Sequence, residues 1–239
     1  MTAPLFRACK ARIPDLGVRA TNPRATDSQR LTLRLDNIPI KIELSPVLRG
    51  TVWEPRDLAV CPEVEETFGF AQMPVVSFND LFAGKICAAL DRQHPRDLFD
   101  IKLLLENEGI DRDLYKTFLV YLISHRRPMA ELLSPTRKDI RGIYEAEFKD
   151  MTREPVSLDD LLNARERLIM ALRVALTDAD RQFLLSVKRR EPDWALLELK
   201  GIEALPAVRW KLENLARMNA AKHEQAFRQL EKILGAAEW

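Results

Sequence analysis

Alternating apolar and polar residues predict a β-hairpin in the first third of the chain. The segments LTLRL (31–35) and IPIKIEL (38–44) both place apolar residues at every second position, with Asp-Asn between them. This period of two is typical of strands that bury one face. Residues 20–29 read as a polar loop. Residues 46–76, which contain several prolines, read as loop with short extended pieces that end in the strand-like PVVSF.

From Ser77 onward the pattern changes to a helical period. Ser77 and Asp80 resemble a capping box that starts a helix reaching about Arg92. His94-Pro95 restarts a helix with proline at its first position, and Gly109 ends it. Further helices are predicted near 112–124, 127–133, 137–150, 158–175, 178–188, 193–200 and 206–234.

These elements indicate an α+β protein with two parts. Residues 1–76 form a small β-containing region, and residues 77–239 form a large helical domain. We find neither an internal repeat nor a low-complexity tract.

Composition excludes several classes of function. The formal net charge is only +1, so any polyanion site must be a local patch. None of the eight glycines forms a Rossmann or P-loop phosphate motif. The three cysteines lie far apart without a metal-binding spacing, which favours a reducing, cytoplasmic location. The chain has no apolar run long enough to predict a transmembrane span.

The segment GKICAALDRQHPRDLFDIKLLL (84–105) concentrates charges between two apolar runs. Lys85 and Arg92 lie two helical turns apart and share one face of the first helix. Asp97 and Asp100 share a face of the second helix. The hairpin can therefore set two cations opposite two carboxylates, either as ordinary cross-helix ion pairs or as part of a working site.

Glu43 is a second candidate. A carboxylate at the centre of a strand, away from its apolar face, can be a metal ligand or a general base. The alternative is an exposed glutamate paired with Lys41 on the polar face of the hairpin.

FNDLFAGKICAALDRQHPRDLFDIKLLL (78–105) resembles the signature segment of the AbiEii/AbiGii nucleotidyltransferase toxin family. The shared pattern is a lysine, Ala-Leu, an arginine, and RD-x-x-D opening the next helix. IPIKIELSPVLRG (38–50) is similar to the preceding strand of the family. RPMAELLSP, EFKDMTREPVSL, FLLSVKRREPDW and LPAVRWKLENL match its helical half in character and order. The resemblance covers roughly residues 31–218.

The resemblance implies a small sheet of the DNA polymerase β-like nucleotidyltransferase fold, followed by the helical domain. Such proteins are toxins of bacterial type IV toxin–antitoxin or phage-defence pairs. They transfer a nucleotide from an NTP to an acceptor, tRNA in some members, with Mg²⁺, and a cognate antitoxin is the expected protein partner.

Site residues carry over from the same resemblance. Lys85 would contact the triphosphate, and Arg92 would support it or brace the aspartates. Asp100 would orient or deprotonate the acceptor, with Asp97 as its neighbour and substitute. Glu43 would be the third carboxylate and a metal ligand.

One departure from the family pattern concerns the front of the chain. The family's Gly-rich turn and paired DxD or DxE acids are not found in residues 1–30. These acids hold the catalytic metal ions in such enzymes. A late start codon, a truncated gene or strands from a partner chain would each explain the difference. Without these acids we expect the chain as given to be an N-terminally truncated or inactive form that does not label tRNA. Two alternatives stay open for function: a non-catalytic helical module that binds a partner such as an antitoxin, and a plain helical scaffold.

Overall fold

The chain divides into two compact units, Met1–Leu48 and Arg49–Trp239. The computed structural model describes residues 17–21, 29–35, 38–44 and 49–236. Strands occur in both units, and all the α-helices of the described residues lie in the second. The predicted α+β class is therefore confirmed. Segment 49–76 belongs to the same compact unit as the helices, and the functional division predicted between residues 76 and 77 stays a prediction.

The first unit contains a three-stranded antiparallel sheet in the order β1-β2-β3. β2 and β3 form the predicted hairpin, with Leu31 opposite Ile42 and Leu33 opposite Ile40. β1 was not predicted, because GVRAT is short and lacks a clear alternation. The strands are β1 (Gly17–Thr21), β2 (Gln29–Leu35) and β3 (Ile38–Leu44).

The second unit opens with a two-stranded antiparallel sheet of β4 (Arg56–Ala59) and β5 (Gln72–Val75). Between these strands lies helix α1 (Pro62–Phe68), where the sequence pattern predicts loop. Its proline occupies the first helical turn, where the missing N–H costs nothing. Glutamates follow in the same turn, where the helix dipole favours negative charge.

The predicted helical hairpin is confirmed as α2 (Phe78–Arg92) and α3 (Pro95–Asn107). Ser77 caps α2 by accepting the Asp80 amide at 3.0 Å. His94 caps α3 through its ring nitrogen, and Pro95 is the first helical residue. Gly109 follows the end of α3 with a positive φ of 74°, a conformation that glycine adopts without strain.

The remaining helices follow the predicted order with two corrections. The stretch 206–234 is two helices rather than one, because Asn219 accepts the Ala221 amide and starts a new helix there. The stretch 193–200 contains a 3-10 turn and no α-helix. The elements are α4 (Arg112–Ile123), α5 (Met129–Leu133), α6 (Arg141–Glu147), α7 (Leu158–Val174), α8 (Asp178–Arg189), the 3-10 turns Trp194–Leu197 and Ile202–Ala204, α9 (Pro206–Ala216) and α10 (Ala220–Gly235).

The core of the second unit is built around α2, α3 and α4. α2 packs against both α3 and α4, and α3 packs against α7. Cys87 is buried in this core, and burial raises the pKa of its thiol to about 12, so it behaves as a small apolar residue. Among the described residues, no helix is both long and apolar enough to cross a bilayer.

The buried carboxylate of Asp80 joins three segments of this unit. It accepts the backbone amides of Val52 at 2.8 Å and Trp53 at 3.0 Å, and the hydroxyls of Ser77 and Tyr121. Burial, followed by the charge of Asp80, raises the pKa of Tyr121 and keeps its phenol protonated as a donor. Four donors compensate for removing the carboxylate from water. Segment 49–53, the start of α2 and α4 are thereby held together.

A second buried carboxylate, Asp180, holds α8 to α4. It accepts two hydrogen bonds from the Arg112 guanidinium, at 2.7 and 2.8 Å. Burial raises the pKa of Asp180, but the bonds from Arg112 and Thr177 outweigh it and leave the pKa below its ordinary value. The bidentate geometry orients both helices as well as attracting them.

We predict that Asp80→Ala destabilises the protein by about 3 kcal/mol, because two half-buried amides and a phenol lose their buried acceptor. Urea unfolding monitored by tryptophan fluorescence measures this loss. Asp150→Ala, at an exposed turn, is the matched control and should change stability by less than about 0.5 kcal/mol. Equal stability of the two variants would contradict the anchoring role of Asp80.

Candidate functional site

Two ion pairs connect α2 to α3, as the helical spacing predicts. Lys85 Nζ contacts Asp100 Oδ2, and Arg92 Nη2 contacts Asp97 Oδ1 at 2.6 Å. The pairs are nested, with Arg92 and Asp97 near the turn and Lys85 and Asp100 farther along the helices. The structure therefore brings together four of the five predicted site residues.

The two pairs differ in how far water reaches their carboxylates. The side chain of Asp97 is 12% exposed, whereas that of Asp100 is 35% exposed and that of Lys85 is 31% exposed. A ligand can therefore reach the Lys85–Asp100 pair from solvent. Lys85 Nζ also lies 5.9 Å from the centroid of the Phe82 ring, so a ligand cannot approach the ammonium from the side of that ring.

Asp97 combines burial with incomplete hydrogen bonding. Its Oδ2 atom is buried and has no hydrogen-bond partner among the residues that the structure describes. A buried acceptor without a partner costs free energy, so it persists only where the surrounding packing holds it. Here Arg92 holds the other oxygen, and Asp97 occupies the first turn of α3, where the dipole favours a negative charge.

The turn that positions the two pairs depends on Gln93, a residue that no sequence pattern singles out. Gln93 is buried and left-handed, with φ of 53°. Its amide donates to Thr136 O at 2.8 Å, and its oxygen accepts from the Lys138 amide and from Arg165. These contacts come from distant segments, so no local motif announces them.

Charges complementary to the helix ends complete the turn. Lys138 Nζ donates to the Asp91 carbonyl at 2.8 Å, at the C-terminus of α2. At the start of α3, Glu147 Oε2 lies 3.4 Å from His94 Nε2 and 3.5 Å from Arg96 Nη2. Segments far along the chain thus hold the Lys85–Asp100 pair in a defined geometry.

Glu43 lies in β3, opposite Arg30 of β2 in the sheet register. It belongs to the first compact unit, whereas the two ion pairs belong to the second. Its predicted roles as third carboxylate and metal ligand stay predictions.

The described residues do not form a divalent-metal site on their own. No group of three or more histidine, cysteine, aspartate or glutamate side chains converges among them. Asp97 and Asp100 share one helix face, but each already pairs with a cation. Mg²⁺ prefers several oxygen ligands in octahedral geometry, which this pair does not supply. The family's Gly-rich turn and DxD acids, which the sequence lacks in residues 1–30, are not tested by the structure, because 1–16 and 22–28 lie outside the described residues.

Comparison with known proteins identifies the family of the chain. The sequence profile of the nucleotidyl transferase AbiEii toxin of type IV toxin–antitoxin systems matches residues 5–214. The structure is similar to MenT4, a nucleotidyltransferase toxin from Mycobacterium tuberculosis H37Rv, with a TM-score of 0.54 and 16% identity. The match covers 88% of this chain and 73% of that chain. No curated protein sequence matches significantly.

The profile spans both compact units and includes all five predicted site residues. The structural likeness at this identity shows a shared fold. Together these findings confirm the resemblance seen in the Lys…RDxxD segment, and they favour a toxin component over the alternative of a non-catalytic helical module. The chain belongs to the AbiEii family of nucleotidyltransferase toxins.

Proposed function

We propose that this protein transfers a nucleotide from an NTP to an acceptor RNA such as tRNA, as the toxin of a bacterial type IV toxin–antitoxin pair. The observation that carries this proposal is the solvent-accessible Lys85–Asp100 pair, on a hairpin that carries the signature of the family. Both side chains are partly exposed, so water can solvate either charge when the pair separates. Lys85 or Asp100 can therefore leave its partner and bind a ligand.

Lys85 is the proposed triphosphate contact. A lysine ammonium is a compact, mobile charge that binds phosphate well. When it contacts a phosphate oxygen, its interaction with Asp100 weakens and the Asp100 carboxylate becomes available. The exchange leaves Lys85 paired with an anion throughout, and water can solvate the released Asp100 carboxylate, whose side chain is 35% exposed.

Asp100 is the proposed acceptor contact. It accepts the proton of an acceptor hydroxyl while that oxygen forms a bond to the α-phosphorus of the NTP. The bond between the α-phosphorus and the bridging oxygen breaks, and pyrophosphate leaves with its electron pair. The proton then passes to solvent. Positioning and charge stabilisation supply most of the catalysis in such transfers.

Arg92 and Asp97 support the site in this proposal. Arg92 braces Asp97 across the hairpin through one nitrogen, and its side chain is 64% exposed. Its free nitrogens can therefore reach a phosphate as well. Asp97 lies one helical turn from Asp100 and is the proposed substitute carboxylate.

Glu43 is proposed as the third carboxylate, and Mg²⁺ as the cofactor that the family resemblance implies. A cognate antitoxin is the proposed protein partner, phage defence the proposed setting and the cytoplasm the proposed location. The described residues do not complete a metal site, and no step above is routed through the metal.

The lack of DxD acids in residues 1–30 by itself predicts no labelling. The proposed transfer predicts instead that the purified protein labels total tRNA from radiolabelled NTP in the presence of Mg²⁺. Lys85→Met and Asp100→Asn should each reduce labelling by about 100-fold or more, because each removes a group that acts in the transition state. Each of the four NTPs is tested separately by gel autoradiography. Lys102→Met, which removes a lysine whose ammonium pairs with Glu106 one turn along α3, is the control. Absence of labelling by the unmodified protein, or full activity of both variants, would contradict the proposal.

We also predict that Lys85→Met and Asp100→Asn change the free energy of unfolding by less than about 1 kcal/mol, because exposed ion pairs contribute little. Asp97→Asn should cost more, because Asp97 is nearly buried and pairs with Arg92. Urea denaturation of the three variants measures the difference. A large loss of stability in Lys85→Met would instead indicate that the Lys85–Asp100 pair is part of the scaffold.

A further inference from the structure

An arginine-lined cleft lies beside the ion pairs, on the adjacent side of α2. We name it the arginine cleft and define it by Arg49, Arg92, Arg126, His125, Asp91 and Tyr121. It has a volume of about 440 Å³. One wall is the face of α2 and the other is the C-terminal end of α4. The whole cleft belongs to the second compact unit.

The charges in the arginine cleft favour an anion. Among the residues that the structure describes, three arginines line it against a single carboxylate, Asp91. Asp91 already forms an ion pair with Arg127, which lies outside the lining. Burial lowers the pKa of His125, so the imidazole is neutral at pH 7 and the positive charge comes from the arginines.

Two of these arginines are not engaged by the described part of the chain. Within that part, Arg49 and Arg126 form no ion pair and no side-chain hydrogen bond, and both residues are exposed. Arg92 uses a single nitrogen for Asp97. Guanidinium groups present a planar fork of donors that matches a phosphate group.

The backbone beneath Arg49 is held from two sides. Three and four residues on, the amides of Val52 and Trp53 donate to buried Asp80. Gly50 has a positive φ of 77°, and a Cβ there would lie 3.0 Å from Leu205 and Pro206. The segment is therefore pressed closely against the start of α9, and the root of the Arg49 side chain is preorganised at the cleft.

The helix ends around the cleft are already neutralised by lysines. Lys211 Nζ donates to the His125 carbonyl at 2.5 Å and to the Arg127 carbonyl at 3.3 Å, just beyond α4. Lys138 does the same for the end of α2. The arginines are therefore not needed to balance the negative helix ends, and their charge is available for a ligand.

We propose that the arginine cleft binds a backbone phosphate of the acceptor RNA strand. This inference rests on the proposed function and names where its acceptor is held. Arg92 lies seven residues from Lys85, about 10 Å along α2. A few nucleotides of a single strand span that distance, so a strand held at the cleft can present its end to Asp100. Arg49 and Arg126 are both exposed, so the RNA strand can continue out of the cleft into solvent.

The test compares two double variants that lose the same charge. Arg49→Ala/Arg126→Ala empties the cleft of its unpaired cations. Arg153→Ala/Arg167→Ala removes two exposed arginines elsewhere, on a turn and on α7. The probe is a short fluorescein-labelled single-stranded RNA, and its anisotropy is measured over a series of KCl concentrations without NTP or Mg²⁺. Circular dichroism and thermal midpoints establish that both variants are folded.

We expect the cleft variant to bind RNA about 10-fold more weakly. The slope of log affinity against log salt should fall by about 0.7 for each phosphate that the variant no longer neutralises. The control variant should bind within about 2-fold of the unmodified protein. Equal weakening of the two variants would show a non-specific effect of net charge, and unchanged binding by the cleft variant, or no RNA binding at all, would overturn the proposal.

A second arm separates RNA phosphate from free nucleotide. Binding of each NTP to the same variants is measured by equilibrium dialysis, with Lys85→Met as the reference for a protein without its triphosphate ligand group. We expect the cleft variant to retain NTP binding. Loss of NTP binding in the cleft variant would make the cleft a nucleotide site and contradict the proposal. Because neither arm measures transfer, failure of the labelling assay with intact RNA binding would count against the proposed chemistry alone.

Discussion

The structure of the second unit depends on one buried carboxylate, Asp80. Its four donors come from segment 49–53, from Ser77 at the start of α2 and from Tyr121 on α4. α2 carries Lys85 and Arg92, and the anchored segment carries Arg49. The positions of the proposed catalytic pair and of the arginine cleft therefore both depend on the hydrogen bonds of Asp80. A buried charge is costly unless every lone pair is used, so these contacts must form together.

The two ion pairs of the α2–α3 hairpin differ in what they can do. Near the turn, Arg92 and the nearly buried Asp97 form a pair suited to holding the helices. Farther along, Lys85 and Asp100 form a pair that solvent reaches, and a solvated pair exchanges partners at little cost. Gln93 and Lys138 define the turn between the helices and so decide where each pair lies. The same charge pattern can thus serve as scaffold at one end and as a working site at the other.

Much of the helical part could be predicted because its signals are local. Ser77, Pro95 and Gly109 mark helix ends through contacts within a few residues. The missed elements lack such signals. β1 is a short strand that exists through its pairing with β2, and α1 follows a proline in a stretch that reads as loop. The break before α10 depends on Asn219, a single cap within a continuous helical pattern.

The sequence by itself determined the α+β class, the hairpin and the facing of Lys85 and Arg92 toward two aspartates, because helical spacing and capping are local properties. The resemblance carried by the same residues led to the family. Only the tertiary structure decided which pair is accessible, because exposure depends on what packs around each side chain. It also decided that Arg49, Arg92 and Arg126 meet in one cleft. They come from separate segments that Asp80, the contact of Gly50 with the start of α9 and the packing of α2 on α4 bring together.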